Sequence, residues 1–207
     1  MHQRRVIYRD LKPENVGIGS DGYPKPLDFG FAKVLGPSGK TFTHCGTPLY
    51  AAPEIILRQS YSYGVDHWAL GVLTCEMVTG CTPFYQKGMT LDELNKRVLA
   101  GSFGLSSNCM PVAAEDLIKR LLCRDPHSRL GSSVPGEKNE IYNHAWFDGV
   151  GFGALRRKEV EAPWIPQIDG PLDTRWFSGM GRAGDKRAHH YPVLAASKQK
   201  LFECFNA

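Results

Sequence analysis

No apolar run in this 207-residue chain approaches the roughly 18 residues that a membrane span needs. The basic start, residues 1–5, is not followed by the apolar stretch of a secretory signal. None of the six cysteines, at 45, 75, 81, 109, 123 and 204, stands in a C-x-x-C pair. That argues against a zinc site or a disulfide framework and for thiols in a reducing compartment. A cytoplasmic protein is expected. Net charge is also small, although the charged fraction is ordinary. The net +4 is too small for a nucleic-acid module, and +3 of it sits in residues 179–207, where Arg182, Lys186, Arg187, Lys198 and Lys200 face only Asp185 and Glu203. No repeat or low-complexity tract is present.

What is there reads as α+β, mainly α. Residues 1–35 alternate loops with short strands, turning at "GSDGYP". Pro24 and Pro26 fall in the strand before Asp28, and proline suits a central ladder poorly. Residues 36–60, rich in Gly, Pro and Thr, form a long functional loop. Residues 64–79, "GVDHWALGVLTCEMVT", are apolar on nearly every face, as in a helix at the centre of a core. "TLDELNKRVLAG" pairs Thr90 with Glu93 in a capping box, presents Leu91, Leu94, Val98 and Leu99 as one stripe, and stops at Gly101. "AAEDLIKRLLCRDP" predicts another helix through Leu117, Ile118, Leu121 and Leu122. A short helix is expected over 139–147. From Asp148 the pattern becomes irregular, so a domain edge is placed near Phe147, dividing the chain into 1–147 and 148–207.

The chemistry gathers near the front. Asp10, in a polar loop after Val6-Ile7, can orient a hydroxyl nucleophile and accept its proton. Lys12 can neutralise charge on a transferring phosphoryl group. Asn15 and Asp28 offer the hard oxygen donors that Mg²⁺ prefers. One Asp-Phe-Gly arises easily by chance. The ordered set "YRDLKPEN" (8–15), "DFG" (28–30) and "APE" (52–54) does not.

On these motifs, with "CGTPLYAAPEI" and "VDHWALGVLTCEM", the sequence resembles the eukaryotic protein kinases of the AGC group, most of all the cAMP- and cGMP-dependent serine/threonine kinases. The resemblance implies a protein-kinase-like fold of which this chain holds the C-terminal lobe only, followed by an irregular C-terminal extension. It implies ATP and Mg²⁺, with Asp10 as base, Lys12 on the γ-phosphate, Thr47 hydrogen-bonding in the catalytic loop to favour Ser/Thr substrates, and Asn15 and Asp28 as metal ligands. It implies phosphorylation of Thr43, with Arg9 and Lys33 as the cations that order the loop, Thr41 being a weaker candidate. Glu14 and Glu76 would receive an arginine two residues before the phosphoacceptor, so basic protein substrates are the expected partners, with a regulatory subunit or domain as a further one. Glu54 and Arg129 would form a buried ion pair, and Asp66 would accept backbone N–H groups from the catalytic loop. Phe202 and Phe205 would match the hydrophobic motif that ends such kinases.

The pattern departs from the family in places. Leu49 replaces an acidic residue, and His44 an apolar one. No G-x-G-x-x-G precedes residue 8 and no V-A-I-K strand is present, so the chain reads as a fragment with little activity by itself. The rival class is a non-catalytic binding module. The presence together of Asp10, Lys12, Asn15 and Asp28 argues against it.

Overall fold

The computed structural model describes residues 1–104, 110–132, 140–170, 172–173 and 175–176. Two compact units divide the chain, Met1–Pro166 and Gln167–Ala207. In the second, Trp176 Nε1 donates to the Gln167 carbonyl at 2.9 Å and Arg175 pairs with Asp173 at 2.8 Å. Phe202 and Phe205 lie outside the described residues.

The first unit opens with four short strands: β1 (Val6–Ile7), β2 (Val16–Ile18), β3 (Pro24–Pro26) and β4 (Lys33–Val34). They form two antiparallel ribbons, β1 with β4 and β2 with β3. Pro24 pairs with Ile18 and Pro26 with Val16 in unbroken register. The prolines do no harm because a two-stranded ribbon has free edges, where a missing N–H leaves no ladder bond unmade. Residues 36–60 are mostly loop, with a 3₁₀ turn at Pro48–Tyr50 and one helical turn, α1 (Pro53–Ile56).

Helix α2 (Gly64–Thr79) is the axis of the core. Trp68 and Val72 are fully buried, and Trp68 stacks on Phe84 at 5.5 Å. α4 (Val112–Leu121) packs across α2 at Gly71, where a Cβ would stand 2.8 Å from Leu121 Cβ; only glycine permits that approach. The expectation of burial on nearly every face stops at Cys75: one turn from the helix end, Met77 is 67 % exposed.

α3 (Leu91–Ala100) carries both halves of the Thr90–Glu93 capping box and ends on Gly101 at φ 66°. It buries Leu94 and Val98 but leaves Leu91 exposed in its first turn. Over the described part of 139–147 there are only turns and a 3₁₀ turn, Ala145–Phe147. His144 accounts for this: its Nδ1 accepts the Trp146 N–H at 3.2 Å, while its Nε2 is held by Asp116 of α4 at 2.9 Å. A five-residue helix, α5 (Phe152–Arg156), lies where the sequence read as irregular. It is too short to show a period, and Phe152 fixes it against Tyr142 and Phe147.

No helix among the described residues is long and apolar enough to cross a membrane.

Candidate functional site

The loop at 8–15 is hung from α2 by one carboxylate. Asp66 accepts the Tyr8 N–H at 2.9 Å on Oδ2 and the Arg9 N–H at 2.8 Å on Oδ1; His2 Nε2 lies 2.7 Å from the same Oδ2. These bonds hold Arg9 in the left-handed region, φ 70°, which costs a non-glycine residue on the order of 1 kcal/mol. The bend turns Asp10 inward, where it is only 5 % exposed. The 45–47 segment then passes so close that a Cβ at Gly46 would stand 2.7 Å from the Arg9 carbonyl oxygen. Glycine at 46 thus allows Thr47 to reach Asp10.

Asp10 is the centre of the site. Thr47 Oγ1 donates to its Oδ1 at 2.6 Å. Asn15 Nδ2 donates to its Oδ2 at 2.7 Å and to its carbonyl at 2.9 Å. Lys12 Nζ lies 3.0 Å from Oδ2 and donates to Thr47 Oγ1 at 2.8 Å. Burial pushes the Asp10 carboxyl up, but the hydrogen bonds from Thr47, Lys12 and Asn15 outweigh it and hold the group below its usual range. A carboxylate accepts about four hydrogen bonds. Three are accounted for among the described residues, which leaves room on Oδ1 for one further donor. Lys12 likewise retains one of its three N–H donors.

Asn15 and Asp28 are brought near each other by the β2–β3 ribbon. The Leu27 N–H donates to the Asn15 carbonyl at 2.8 Å, extending the ladder one step beyond Val16 and Pro26. The Tyr8 hydroxyl donates to the Leu27 carbonyl, and its ring meets Phe29 edge-on at 5.6 Å. Burial, with the charges of Asp10, Asp28 and Asp66 around it, pushes the Tyr8 hydroxyl up to about 12. Asp28 is exposed, at φ 51°, with the Gly30 N–H on its Oδ1 at 2.9 Å. Asn15 spends its Nδ2 on Asp10, which leaves its Oδ1 as an oxygen donor, and Asp28 offers its Oδ2 from the neighbouring strand end. Two hard oxygens suit Mg²⁺, which keeps several of its waters. Among the described residues no cluster of three His, Cys, Asp or Glu competes as a metal site.

Glu14 and Glu76 both act on a residue the sequence did not single out. The Tyr50 hydroxyl donates to Glu76 Oε2. It is pushed up by burial, by that bond, and by the charges of Glu76 and Glu14. Nothing in the linear sequence pairs Tyr50 with a carboxylate 26 positions away.

Thr43 is exposed. Its carbonyl accepts the Tyr61 hydroxyl, and Arg9 Nη1 donates to that hydroxyl at 3.2 Å. Lys33 Nζ instead donates to Thr41 Oγ1 at 2.9 Å, with Thr41 buried in a bridge to Tyr61. Arg9 therefore adjoins the Thr43 segment, while Lys33 is engaged two residues earlier. The expected ion pair is in place: Arg129 Nη1 and Nη2 reach Glu54 Oε1 and Oε2 at 2.7 and 3.0 Å, both side chains buried. Leu49 packs against the core cluster, which is the use of an apolar residue there.

Beside Asp66 lies a half-buried base. His67 Nδ1 has no hydrogen-bond partner among the described residues. Burial, then His2 and Arg129, push its imidazole down to about 4, with Asp66 opposing. The unfolded chain therefore binds more protons than the folded one between about pH 6.5 and 4, so stability falls as pH drops through that window. Between pH 7.5 and 5 the loss from His67 should be about 2 kcal/mol. Urea midpoints of the parent and His67→Phe at the two pH values measure it; an unchanged pH slope in the variant would exclude His67 as the cause.

The sequence model of the protein kinase domain matches residues 1–147. Cyclic-GMP-dependent protein kinase 2 of Rattus norvegicus is 40 % identical over 179 residues, covering 86 % of this chain and 23 % of the relative. The human cAMP-dependent protein kinase catalytic subunit PRKX is 39 % identical over 177 residues, covering 86 % and 48 %. Serine/threonine-protein kinase gad8 of Schizosaccharomyces pombe is 39 % identical over 178 residues, covering 86 % and 30 %. The chain thus spans between about a quarter and a half of the length of these curated relatives.

Proposed function

The chain belongs to the protein kinase domain family, and from that premise we propose that it supplies the catalytic loop and metal ligands of a serine/threonine kinase acting on basic proteins. Residues 1–147 would be the C-terminal lobe of that domain and 148–207 its extension. The observation that carries this reading is the closed set around Asp10, where Thr47, Lys12 and Asn15 converge on one carboxylate. A binding scaffold has no use for that convergence.

The roles follow from the bonds. Asp10 offers its remaining lone pair to the substrate hydroxyl and fixes the direction of attack. Phosphoryl transfer through a loose transition state needs little proton removal before the new bond forms, so a carboxyl held below its usual range suits the task. Thr47 and Asn15 keep the carboxylate from turning. Lys12 holds positive charge where the transferring group passes. Asn15 and Asp28 would hold Mg²⁺, which when bound supplies the positive charge that a triphosphate requires. Arg9 would help to bind a phosphate on Thr43.

Glu14 and Glu76 would share a substrate guanidinium, with Tyr50 holding Glu76 in place. Glu76→Gln should raise KM for a peptide with arginine two residues before serine by about 10–100-fold and leave kcat within a few-fold, since a hydrogen bond to a charged group is worth about 1.5–3 kcal/mol. Equal KM values for arginine and alanine peptides in the parent would overturn the assignment.

The glycine-rich loop and strand lysine that such kinases use are not among these 207 residues, so little turnover is expected from this chain alone. The deciding assay fuses the small lobe of a cGMP-dependent relative ahead of Met1. It then follows transfer of γ-phosphate to a basic serine peptide, with Asp10→Asn as the control. Transfer that is insensitive to Asp10 would refute the proposal.

A further inference from the structure

Two cysteines that look unrelated in the sequence meet at the end of α2. Cys75 is buried inside the helix, and Cys81 is exposed just beyond its cap. Gly80, at φ 78°, turns the chain back over the helix end and donates its N–H to the Glu76 carbonyl at 2.8 Å. That turn lays the Cys81 carbonyl oxygen 3.7 Å from Cys75 Sγ. Both sulfurs also touch one hydroxyl, Cys75 Sγ at 3.8 Å and Cys81 Sγ at 3.5 Å from Thr79 Oγ1. They are therefore no farther apart than the sum of those distances, and the Cys81 backbone already lies against the buried thiol. Rotation of an exposed cysteine side chain is a low-cost motion, and a bridge needs the two Cβ atoms about 4 Å apart.

We propose that Cys75 and Cys81 form a peroxide-responsive dithiol, in which hydrogen peroxide oxidises Cys81 and Cys75 then closes a disulfide across the helix terminus. In the first step the Cys81 thiolate attacks one oxygen of the peroxide. The O–O bond breaks, the leaving hydroxide takes a proton to become water, and Cys81 is left as a sulfenic acid. In the second step the Cys75 sulfur, losing its proton, attacks the Cys81 sulfur. The S–S bond forms, the S–O bond breaks, and a second water leaves. Two thiols are oxidised by two electrons while one peroxide is reduced to two waters. The roles divide by exposure: peroxide in solution reaches Cys81, whereas Cys75 is shielded, its thiol pushed up by burial. Thr79 keeps the two sulfurs on the same side of the turn.

The test uses the full chain, reduced, then treated with hydrogen peroxide, alkylated and digested with trypsin. Arg58 and Lys87 bracket one peptide holding both cysteines and no other. In the oxidised protein that peptide should be lighter by two hydrogens and refuse alkylation at both sites, and dithiothreitol should restore both. Cys81→Ser should leave Cys75 fully alkylatable at the same peroxide dose. Cys75→Ser should leave a sulfenic acid at Cys81 that dimedone traps. Should the buried substitution fail to fold, the parent peptide and the exposed variant decide the matter. Alkylated Cys75 beside a sulfinic Cys81 in the parent would overturn the proposal, and so would bridging of either thiol to Cys45, Cys109, Cys123 or Cys204.

Discussion

Asp10→Asn should lower the rate of phosphoryl transfer about 10²–10⁴-fold in the fused enzyme, with KM for ATP little changed. The substitution keeps the shape of the side chain and removes its charge. An amide placed there either turns its NH₂ toward the donors Asn15 and Lys12 or turns it toward Thr47, whose hydroxyl can accept it at the expense of the Oδ1 lone pairs. The lone pair that would take the substrate hydroxyl is lost or misdirected, and Lys12 loses its anionic partner. Some stability is lost as well, about 1.5–3 kcal/mol for a hydrogen bond to a charged group, which is small against a typical 5–15 kcal/mol. The two effects separate cleanly: urea unfolding reads the second, and single-turnover transfer at saturating ATP reads the first. A variant that transfers phosphate within tenfold of the parent would remove Asp10 from the chemistry.

The second large effect is on folding. Arg129→Met should destabilise the chain by about 3–5 kcal/mol, because it strands the Glu54 carboxylate in the core. The Arg129 side chain is 0 % exposed and that of Glu54 4 %. The guanidinium forks onto both carboxylate oxygens and donates also to the carbonyls of Cys123, at 2.9 Å, and Gly64, at 2.8 Å. It lies 5.1 Å from the centroid of the Trp68 ring. Lysine at 129 should rescue little, since an ammonium cannot reproduce the fork. For a chain of this size the loss corresponds to a fall in Tm of about 6–20 °C. Removing both charges, as Glu54→Leu with Arg129→Met, should cost less than Arg129→Met alone, because no unpaired ion is left behind. If the double variant is the less stable of the two, the pair acts through packing and not through charge.

The motif residues were legible because their chemistry is local. "YRDLKPEN" puts an acid, a cation and an amide within one turn of loop, and each is then placed by bonds to its near neighbours. α2 and α3 were legible through period and caps, down to the Thr90–Glu93 box. The failures have the same cause in reverse. The 139–147 segment carries a helical composition, but His144 is claimed by Asp116 and the chain turns there instead. Lys33 donates to Thr41 because the Thr41–Tyr61 bridge brings that hydroxyl to it, a contact that no spacing along the chain announces. Tyr50 carries no signal of its own until α2 places Glu76 beside it.

By itself the sequence determined the kind of chemistry, since residue types at short spacing set which charges and donors lie near one another whatever the rest of the chain does. It determined the long helices too, because apolar period and capping act over a few residues. Only the tertiary structure decided that Tyr50 holds Glu76, how Thr47 reaches Asp10, and that Cys75 and Cys81 share a hydroxyl; the Arg129–Glu54 pair was already expected from the resemblance, and the fold supplied its fork. Such meetings depend on how closely backbones can pass, as at Gly46 and Gly71, and on turns such as Gly80 that reverse the chain. Those approaches are fixed by the packing of the whole core.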